Sequence, residues 1–285
     1  MRKTGAAQYR ARPYLGENRM PATYLIVLTA TIFPAPSERL KRNDPKIRLE
    51  DYKSALRFWL LYPHPKLSKV LFLENSGADL SELEAIYARE NLLNKEVEFI
   101  SMNGNQIPKG LHYGYGEMQM LDHGLRQSRL REQTTHMIKV TGRLTFPAIG
   151  KLLNRLPEDF EACVECRIPL HSYRWGTNPL RVLFNRVGAY TSSQLMIFSH
   201  AFYRRELQGL YLTLVTKEGS TLIENLIYPQ MLKYEGKPGV YLRWPINIDP
   251  VGVTGHSNVQ YGSMKRSAAS LVRRALRVVA PNWWL

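Results

Sequence analysis

Cysteine is scarce in this chain, with two residues in 285, and no run of about 18 apolar residues occurs. Two cysteines cannot form a disulfide framework, so the sequence indicates a reducing compartment rather than a disulfide-stabilised secreted protein. Without a long apolar run, no segment is expected to span a bilayer. The apolar run Tyr24–Ile32 begins too late for a signal peptide and lacks a cleavage site.

Acidic residues are also in short supply: 24 Asp and Glu stand against 39 Lys and Arg, giving a formal net charge of +15. A positive charge of this size favours an anionic partner, either nucleic acid, an anionic membrane surface or a phosphorylated substrate. The chain is 44% hydrophobic and 11% aromatic, which is typical of a packed globular protein and excludes a disordered one.

Strand and helix patterns alternate through the first half of the chain. Branched apolar residues on both faces of Ala22–Phe33 predict a central parallel strand. We expect Ser81 to cap the second helix. The other predicted strands are Val70–Leu73, Val97–Ser101 and Met137–Val140, and the predicted helices are Leu49–Leu61, Ser81–Asn91 and one from Glu117. This alternation predicts a Rossmann-like α/β fold, an open, mostly parallel (mixed) sheet flanked by helices.

Three groups of polar and glycine residues follow strands of this sheet, at the edge where ligands bind in open parallel sheets. They are Glu74–Asp79, Lys109–Glu117 and Lys139–Arg143. A carboxylate there suits the hydrogen bonds of a ribose or base, and basic residues suit a diphosphate or a sugar acid. Glycines before a helix let the backbone approach an anion, although they equally well only turn the chain. Together the groups predict a nucleotide-type ligand.

Five motifs then resemble a known family. They are ENSG with Asp79, GYGE ending at Glu117, KVTGR ending at Arg143, IEN at 223–225 and VGVTGHS at 251–257. They look like those of bacterial glycosyltransferases from polysaccharide and lipopolysaccharide gene clusters. The resemblance implies the nucleotide-diphospho-sugar transferase (GT-A) fold. It also implies transfer of a sugar from a nucleotide-sugar donor, with no separate cofactor, to a saccharide or lipid-linked acceptor in cell-surface polysaccharide biosynthesis.

The resemblance also implies roles for individual residues. Those that would border the nucleoside are Thr29, Pro34, Glu74, Asn75 and Asp79. Lys109 and Gly116 would lie near the phosphates. Lys139 and Arg143 would stand where many such enzymes hold a metal ion through an Asp-x-Asp pair. This sequence has no Asp-x-Asp pair. Because Lys and Arg can also neutralise a diphosphate, we expect no metal site and metal-independent catalysis, with a divalent ion left open.

The second half is less regular. Predicted helices are Thr145–Leu156, Ala201–Leu207 and 221–233, and predicted strands are Phe160–Ile168, Val182–Tyr190 and Leu195–Phe198. We divide the chain into a basic N-terminal arm (1–22), a nucleotide-sugar-binding half (23–145), an acceptor-binding half of the same domain (146–261) and a C-terminal segment (262–285).

An inverting transfer needs a group that takes the proton of the acceptor hydroxyl. Glu224 is the first candidate because it heads a predicted helix in the acceptor half, where an ordinary surface glutamate would look the same. Glu117 is the second, although the helix dipole already explains a glutamate in a first helical turn. His200 and His256 are weaker, because a lone histidine beside strands is more often structural.

The C-terminal segment predicts a basic amphipathic helix over Ser263–Val279, followed by Trp283 and Trp284. Its predicted apolar side consists of Leu271, Val272, Ala275, Leu276 and Val279, and its basic remainder of Lys265, Arg266, Arg273, Arg274 and Arg277. Such a helix suits an anionic membrane surface. This predicts a cytoplasmic protein, peripheral on the inner face of the membrane. A helix packed on the domain with a basic outer face is the alternative.

Two other classes of protein stay open as alternatives. A nucleic-acid-binding protein would explain the charge, but the arginines are spread along the chain without a binding motif, so we predict no nucleic-acid partner. A methyltransferase would want a glycine loop after the first strand, where this chain has Phe33–Pro36. The CxxC spacing of Cys163 and Cys166 falls inside a predicted strand without further metal ligands, so we expect no zinc or redox role.

Overall fold

The computed structural model describes residues 21–35, 40–108, 111, 114–168, 189–216, 222–255, 258, 260–261, 270–271, 274–275 and 277. Several predictions lie outside these described residues. They are the N-terminal arm through residue 20, Lys109, His256, the predicted strand from 182 as far as residue 188, and most of the C-terminal segment.

The described strands are β1 (Tyr24–Ala30), β2 (Lys69–Glu74), β3 (Glu96–Ser101), β4 (His136–Thr141), β5 (Leu144–Thr145), β6 (Ala162–Cys163), β7 (Cys166–Arg167), β8 (Tyr190–Thr191), β9 (Leu195–Ser199), β10 (Val240–Tyr241) and β11 (Val251–Gly252). The described α-helices are α1 (Pro45–Leu61), α2 (Ser81–Glu90), α3 (Gly114–Gln127), α4 (Arg129–Glu132), α5 (Ile149–Leu153), α6 (His200–Glu206) and α7 (Ile223–Leu232). A 3₁₀ helix covers Leu210–Thr216.

Seven strands form one sheet, in the spatial order β10-β6-β9-β4-β1-β2-β3. β1 pairs in parallel with β2 and β4, and β2 pairs in parallel with β3. β9 runs antiparallel to both β4 and β6, and β10 is parallel to β6. The predicted mixed, mostly parallel α/β sheet is confirmed. Because the chain leaves β1 on one side for β2 and returns on its other side as β4, the topological switch point lies between β1 and β4.

β1 lies inside the sheet, paired on both sides, and all seven of its residues are buried. Its side chains alternate between two cores, because successive residues of a strand point to opposite faces of the sheet. Ile26 and Leu28 belong to a core that includes Trp59 of α1. Leu25 and Val27 belong to the opposite core, which includes Leu121 of α3. The sheet is therefore covered by helices on both faces.

Three helix starts differ from the predictions. Asp44 caps α1, accepting the Lys46 backbone N–H at 2.8 Å, so this helix begins four residues before Leu49. The prediction that Ser81 caps α2 is wrong: the capping position is Leu80, and the Asp79 carboxylate accepts the Ser81 N–H at 3.0 Å. α3 begins at Gly114, so the glycines of GYGE form its first turn and not a loop before it.

Two predicted elements of the second half are shorter in the structure. The predicted helix Thr145–Leu156 is reduced to α5, because Leu144–Thr145 pairs with β11 as a strand. The predicted strand Phe160–Ile168 divides into β6 and β7, which pair with different strands. The break falls at Glu165, whose side chain is buried and bonded to the Trp244 backbone.

Residues 270–271, 274–275 and 277 of the C-terminal segment are helical. Ser270 is buried and donates to Asp249 at 2.6 Å, and Arg277 donates to Glu165 at 2.5 Å. Leu271 is 64% exposed, and Arg274 is exposed on the same segment. A basic residue therefore docks on the domain while Leu271 faces outward, and the amphipathic pattern over Ser263–Val279 stays a prediction because most of that segment lies outside the described residues. In the described part of the chain, no helix is long and apolar enough to cross a membrane.

The turn after β4 approaches the end of β1 closely enough to require glycine. A Cβ on Gly142 would lie 2.7 Å from the carbonyl oxygen of Thr29, which already accepts the Gly142 N–H at 2.8 Å. We expect Gly142→Ala to lower the free energy of unfolding by about 1–3 kcal/mol, because backbone must move. Gly104→Ala is the control, since its Cβ would meet atoms only at 3.7 Å and beyond. Urea denaturation of both variants measures the difference, and equal stability would contradict the close approach.

Candidate active site at the switch point

The predicted polar groups converge where β1 and β4 end side by side. In the parallel register Val27 pairs with Lys139, and Thr29 pairs with Thr141. Lys139 lies on the same face of β4 as Met137, beneath α3, and α3 places Glu117 in its first turn above it. The carboxyl edge at the switch point is thus lined from two strands and one helix.

Lys139 is a fully buried lysine. Its Nζ donates to Glu117 Oε1 at 2.6 Å and to the backbone carbonyl of Ser193, also at 2.6 Å. Burying an ammonium group is costly unless it is paired and hydrogen-bonded. Lys139 therefore does not offer its charge to open space, and it holds Glu117 and Ser193 in place.

Glu117 receives two hydrogen bonds on one oxygen. Besides Lys139, the hydroxyl of Thr29 donates to Oε1 at 2.9 Å, and the carboxylate side chain remains one-fifth exposed. Burial alone would raise the pKa of Glu117. The positive charge of Lys139, the bonds from Lys139 and Thr29, and the charge of Arg143 outweigh it, so the pKa lies below its usual value. Glu117 is therefore held as the anion.

Glu224 lies at the start of α7, across Ser193 from this pair. The Ser193 hydroxyl donates to Glu224 Oε1 at 2.8 Å. The other oxygen, Oε2, is buried and has no hydrogen-bond partner among the described residues. Burial raises the pKa of Glu224, and the negative charge of Glu117 adds to the rise against the bond from Ser193. The structure thus brings together both predicted carboxylates, with pKa values moved in opposite directions, as in sites of acid–base chemistry.

Glu74 and Asp79, predicted beside the nucleoside, are bonded within the protein. Glu74 is fully buried. Its oxygens accept the backbone N–H groups of Ile32, Ser76 and Ala78 at 2.9–3.0 Å. Asp79 is exposed and binds Ser81 at the start of α2. Glu74 therefore fixes the loops after β1 and β2, and Asp79 binds the first residue of α2.

Asn75 is the residue of this loop that faces the switch point. Its Oδ1 accepts the Thr31 hydroxyl at 2.6 Å, and its Nδ2 donates to the Gly116 carbonyl at 3.5 Å. Pro34 is half-buried in the loop after β1. Asn75, Thr31 and Gly116 thus join the ends of β1 and β2 to the first turn of α3.

Arg143 follows the turn after β4 and is half-buried. Its Nε donates to the Val253 carbonyl at 3.0 Å, and its charge helps to lower the pKa of Glu117. A Cβ on Gly255 would lie 2.8 Å from Arg143 Nη2, so glycine makes room for the guanidinium. The remaining N–H groups of this fork suit an anion.

The residues at this edge do not fit a divalent metal. Among the described residues no group of three His, Cys, Asp or Glu side chains comes together. The end of β4 and the start of α3 instead carry the Lys139–Glu117 ion pair.

Two contributors escaped the sequence analysis: Ser193 and Thr31. Ser193 lies in the loop before β9, and only the antiparallel direction of β9 brings that loop to the carboxyl edge. No sequence motif marks it. Thr31 directly follows β1, and position after a central strand was the available signal.

The weaker candidates lie elsewhere. His200 begins α6 at the opposite edge, where burial lowers its pKa to about 3 and its ring meets Thr134 at 2.9 Å. Cys163 is a buried core residue with a free thiol, and Cys166 Sγ lies 3.4 Å from the Thr191 hydroxyl.

No protein-family model matches the chain, and no curated protein matches it. Solved structures similar to it are glycosyltransferases and nucleotidyltransferases. One is 4-diphosphocytidyl-2C-methyl-D-erythritol synthase from Anaerococcus prevotii, at 8% identity and a TM-score of 0.47, covering 88% of this chain and 96% of that one.

Two further solved structures are similar at the same level. The galactosyltransferase LgtC, solved with donor and acceptor sugar analogs, has 12% identity, a TM-score of 0.44 and coverage of 76% and 72% of the two chains. A putative glucose-1-phosphate thymidylyltransferase from Bacillus anthracis, solved with a sucrose, has 10% identity, a TM-score of 0.41 and coverage of 89% of this chain and 95% of that one. Similarity of this degree does not say what this chain binds.

The opposite pKa shifts predict opposite effects of pH on stability. Because the pKa of Glu224 is raised in the folded protein, this group stabilises the fold below a pH of about 4.3, the pKa of glutamate in an unfolded chain. That contribution is lost as the pH rises through the pKa of Glu224 in the folded protein. Because the pKa of Glu117 is lowered in the folded protein, this group stabilises the fold above a pH of about 4.3, the pKa of glutamate in an unfolded chain. That contribution is lost as the pH falls through the pKa of Glu117 in the folded protein.

As the pH rises from 4 to 7, the free energy of unfolding of Glu224→Gln should therefore increase relative to that of the wild type. That of Glu117→Gln should decrease relative to the wild type. Urea denaturation of the three proteins at both pH values measures these changes. Changes of the same sign in the two variants would contradict the assignment.

Proposed function

We propose that this protein is a glycosyltransferase of the GT-A type, which moves a sugar from a nucleotide-sugar donor to a saccharide or lipid-linked acceptor. The observation that carries the proposal is the buried carboxylate of Glu224, which has one unpartnered oxygen and is linked through Ser193 to the Lys139–Glu117 pair at the switch point. Open α/β sheets bind nucleotides at this position.

The donor lies, in this proposal, along the carboxyl edge of β1, β2 and β4. Thr31 and Asn75 face the nucleoside, and the N-terminal turn of α3 with Gly116 faces the phosphates, where helix amides favour an anion. Arg143 neutralises the charge that develops on the departing nucleoside diphosphate. No step in this proposal passes through a metal ion, because Arg143 and the helix amides supply the positive charge.

Glu224 acts as the general base in an inverting displacement. It takes the proton of the acceptor hydroxyl as that oxygen attacks the anomeric carbon, while the bond from that carbon to the diphosphate breaks. A raised pKa makes the carboxylate a better base at neutral pH than an ordinary glutamate. Ser193 orients the carboxylate by its hydrogen bond to Oε1. Glu117, held as the anion, keeps Lys139 paired and keeps the local charge balanced.

The acceptor half and the C-terminal segment place the reaction at a membrane surface in this proposal. Exposed Leu271 and Arg274 support contact between the C-terminal segment and anionic lipid on the cytoplasmic face, in cell-surface polysaccharide synthesis. Sedimentation with anionic and neutral vesicles tests this part, and equal recovery with both would refute it.

The donor site is tested at Arg143. Arg143→Ala should weaken binding of the nucleotide-sugar by about 1.5–3 kcal/mol, the range for hydrogen bonds to charged groups. Arg57→Ala is the control, because Arg57 is an exposed arginine that pairs with Glu90 on the far helix layer. Calorimetry with a panel of sugar nucleotides measures both variants. Unchanged donor affinity in folded Arg143→Ala would remove Arg143 from the donor site.

The base is tested by Glu224→Gln, which keeps the shape of the side chain and removes its ability to accept a proton. Turnover should fall by about two orders of magnitude or more, with little change in donor affinity. Glu84→Gln on the exposed face of α2 is the matched control. Near wild-type turnover in Glu224→Gln would assign the role to Glu117, which Glu117→Gln would then reveal.

A further inference from the structure

A second charged cluster lies on the same edge of the sheet, beyond β6 and β10. These two strands are parallel, with Cys163 opposite Tyr241. Glu165 follows β6 by two residues and Arg243 follows β10 by two residues, so they lie side by side past the strand ends. Arg167 in β7 and Arg277 of the C-terminal helix complete what we call the Glu165 cluster.

The carboxylate of Glu165 is already committed within the cluster. Its side chain is 1% exposed. Oε1 accepts Arg277 Nη2 at 2.5 Å and lies 3.9 Å from Arg167 Nε, and Oε2 accepts the Trp244 backbone N–H at 3.0 Å. Arg277, Arg167 and the Trp244 backbone therefore share the one carboxylate of Glu165.

Among the described residues, Glu165 is the one carboxylate that pairs with Arg167 and Arg277. Burial lowers the pKa of Arg243, and repulsion from Arg277 and Arg167 adds to this against the charge of Glu165. The Nε groups of Arg167 and Arg277 and the indole N–H of Trp244 are buried without hydrogen-bond partners among the described residues. Such donors are normally satisfied, so their concentration in one place points to a missing anion.

The sequence supplies no hidden counter-charge nearby along the chain. Between Glu165 and Glu206 there is no Asp or Glu, and there is none after Asp249. Asp249 itself is paired with Arg274 and Ser270. Arg167 and Arg277 keep 17% and 14% of their side chains exposed, so a small anion can reach the guanidinium groups from solvent.

We propose that the Glu165 cluster binds a phosphate or diphosphate group of the acceptor substrate. The Glu165 carbonyl accepts the N–H of Ser192 at 2.9 Å, and the next residue, Ser193, holds both Glu224 and Lys139. The anion would thus lie next to the segment that carries Ser193, the residue that holds the catalytic carboxylate of Glu224. The anion site stands on this geometry, and its assignment to the acceptor rests on the proposed function.

Binding of anions to the full-length chain tests the inference. The probes are inorganic pyrophosphate, farnesyl diphosphate and a panel of nucleoside diphosphates, each titrated by calorimetry. The variants are Arg167→Gln and Arg243→Gln, with Arg57→Gln as the charge-matched control and Arg143→Ala as the donor-site comparison. Arg277 is left intact, because its removal would leave Glu165 buried without its main partner.

We expect Arg167→Gln and Arg243→Gln to weaken pyrophosphate and farnesyl diphosphate at least about tenfold, and nucleoside diphosphates less than about threefold. Arg143→Ala should weaken nucleoside diphosphates more than pyrophosphate and farnesyl diphosphate. Arg57→Gln should leave the affinity for both groups of ligands unchanged. Tighter binding of farnesyl diphosphate than of pyrophosphate would identify a lipid-linked source, and equal binding a soluble one.

Unchanged pyrophosphate affinity in folded Arg167→Gln and Arg243→Gln would overturn the anion site. An equal loss of nucleoside diphosphate binding would overturn its assignment to the acceptor, because the cluster would then belong to the donor. If pyrophosphate binding depends on these arginines while no nucleoside diphosphate binds at all, the anion site stands and the proposed glycosyltransferase fails.

Discussion

The carboxyl edge of this protein depends on one constraint, the burial of a lysine in β4, the middle strand of the seven-stranded sheet. The ammonium group of Lys139 has no access to solvent, so the protein must supply its partners. It supplies a carboxylate from α3 and a backbone carbonyl from the loop before β9. These two requirements fix the height of α3 above the sheet and the path of the chain at Ser193. Ser193 in turn positions Glu224, so the proposed base is located by a charge it never contacts directly.

A buried ion pair adds little to stability by itself, since apolar residues of similar volume often stabilise a fold equally well or better. At the switch point the pair does something that apolar residues cannot do. It holds one carboxylate as an anion and, by its proximity, helps to raise the pKa of a second one. The same reasoning applies further along the edge, where three arginines surround Glu165. Among the described residues there, Arg167 and Arg277 share one carboxylate, and this difference separates the self-contained ion pair from the proposed anion site.

Much of the sheet could be predicted from the sequence, because buried parallel strands appear as short, branched, apolar runs. β1 to β4 and their order of alternation with helices followed from that signal. The direction of β9 did not, because an apolar pentapeptide such as Leu195–Ser199 has the same pattern in either direction. The helix starts were misplaced for a related reason. Gly114 looks like a loop residue in sequence, and only the structure explains a glycine inside a helix: a Cβ at Gly114 would lie 2.4 Å from Ile223 Cγ2.

The candidate site was predictable in part. Position after a strand pointed to Glu117, Lys139 and Arg143, and position at a helix start pointed to Glu224. The roles of Glu74 and Asp79 were not predictable, because a carboxylate that binds a ribose and one that binds backbone N–H groups have the same place in the sequence. The Glu165 cluster was missed entirely, since its arginines come from three distant segments that only the fold brings together.

The contacts of the switch point also bear on how the chain folds. Thr29 and Glu117 are 88 residues apart, Lys139 and Ser193 are 54 apart, and Ser193 and Glu224 are 31 apart. Each bond closes a long loop, and loop closure costs entropy that local contacts do not pay. β1, β2 and β3 can pair with near neighbours in the chain, but this network needs segments from both halves. Folding that stops with the first half would bury Lys139 with Glu117 and leave its second acceptor, the carbonyl of Ser193, absent. The geometry of the switch point is therefore a property of the complete sheet and of no smaller unit within it.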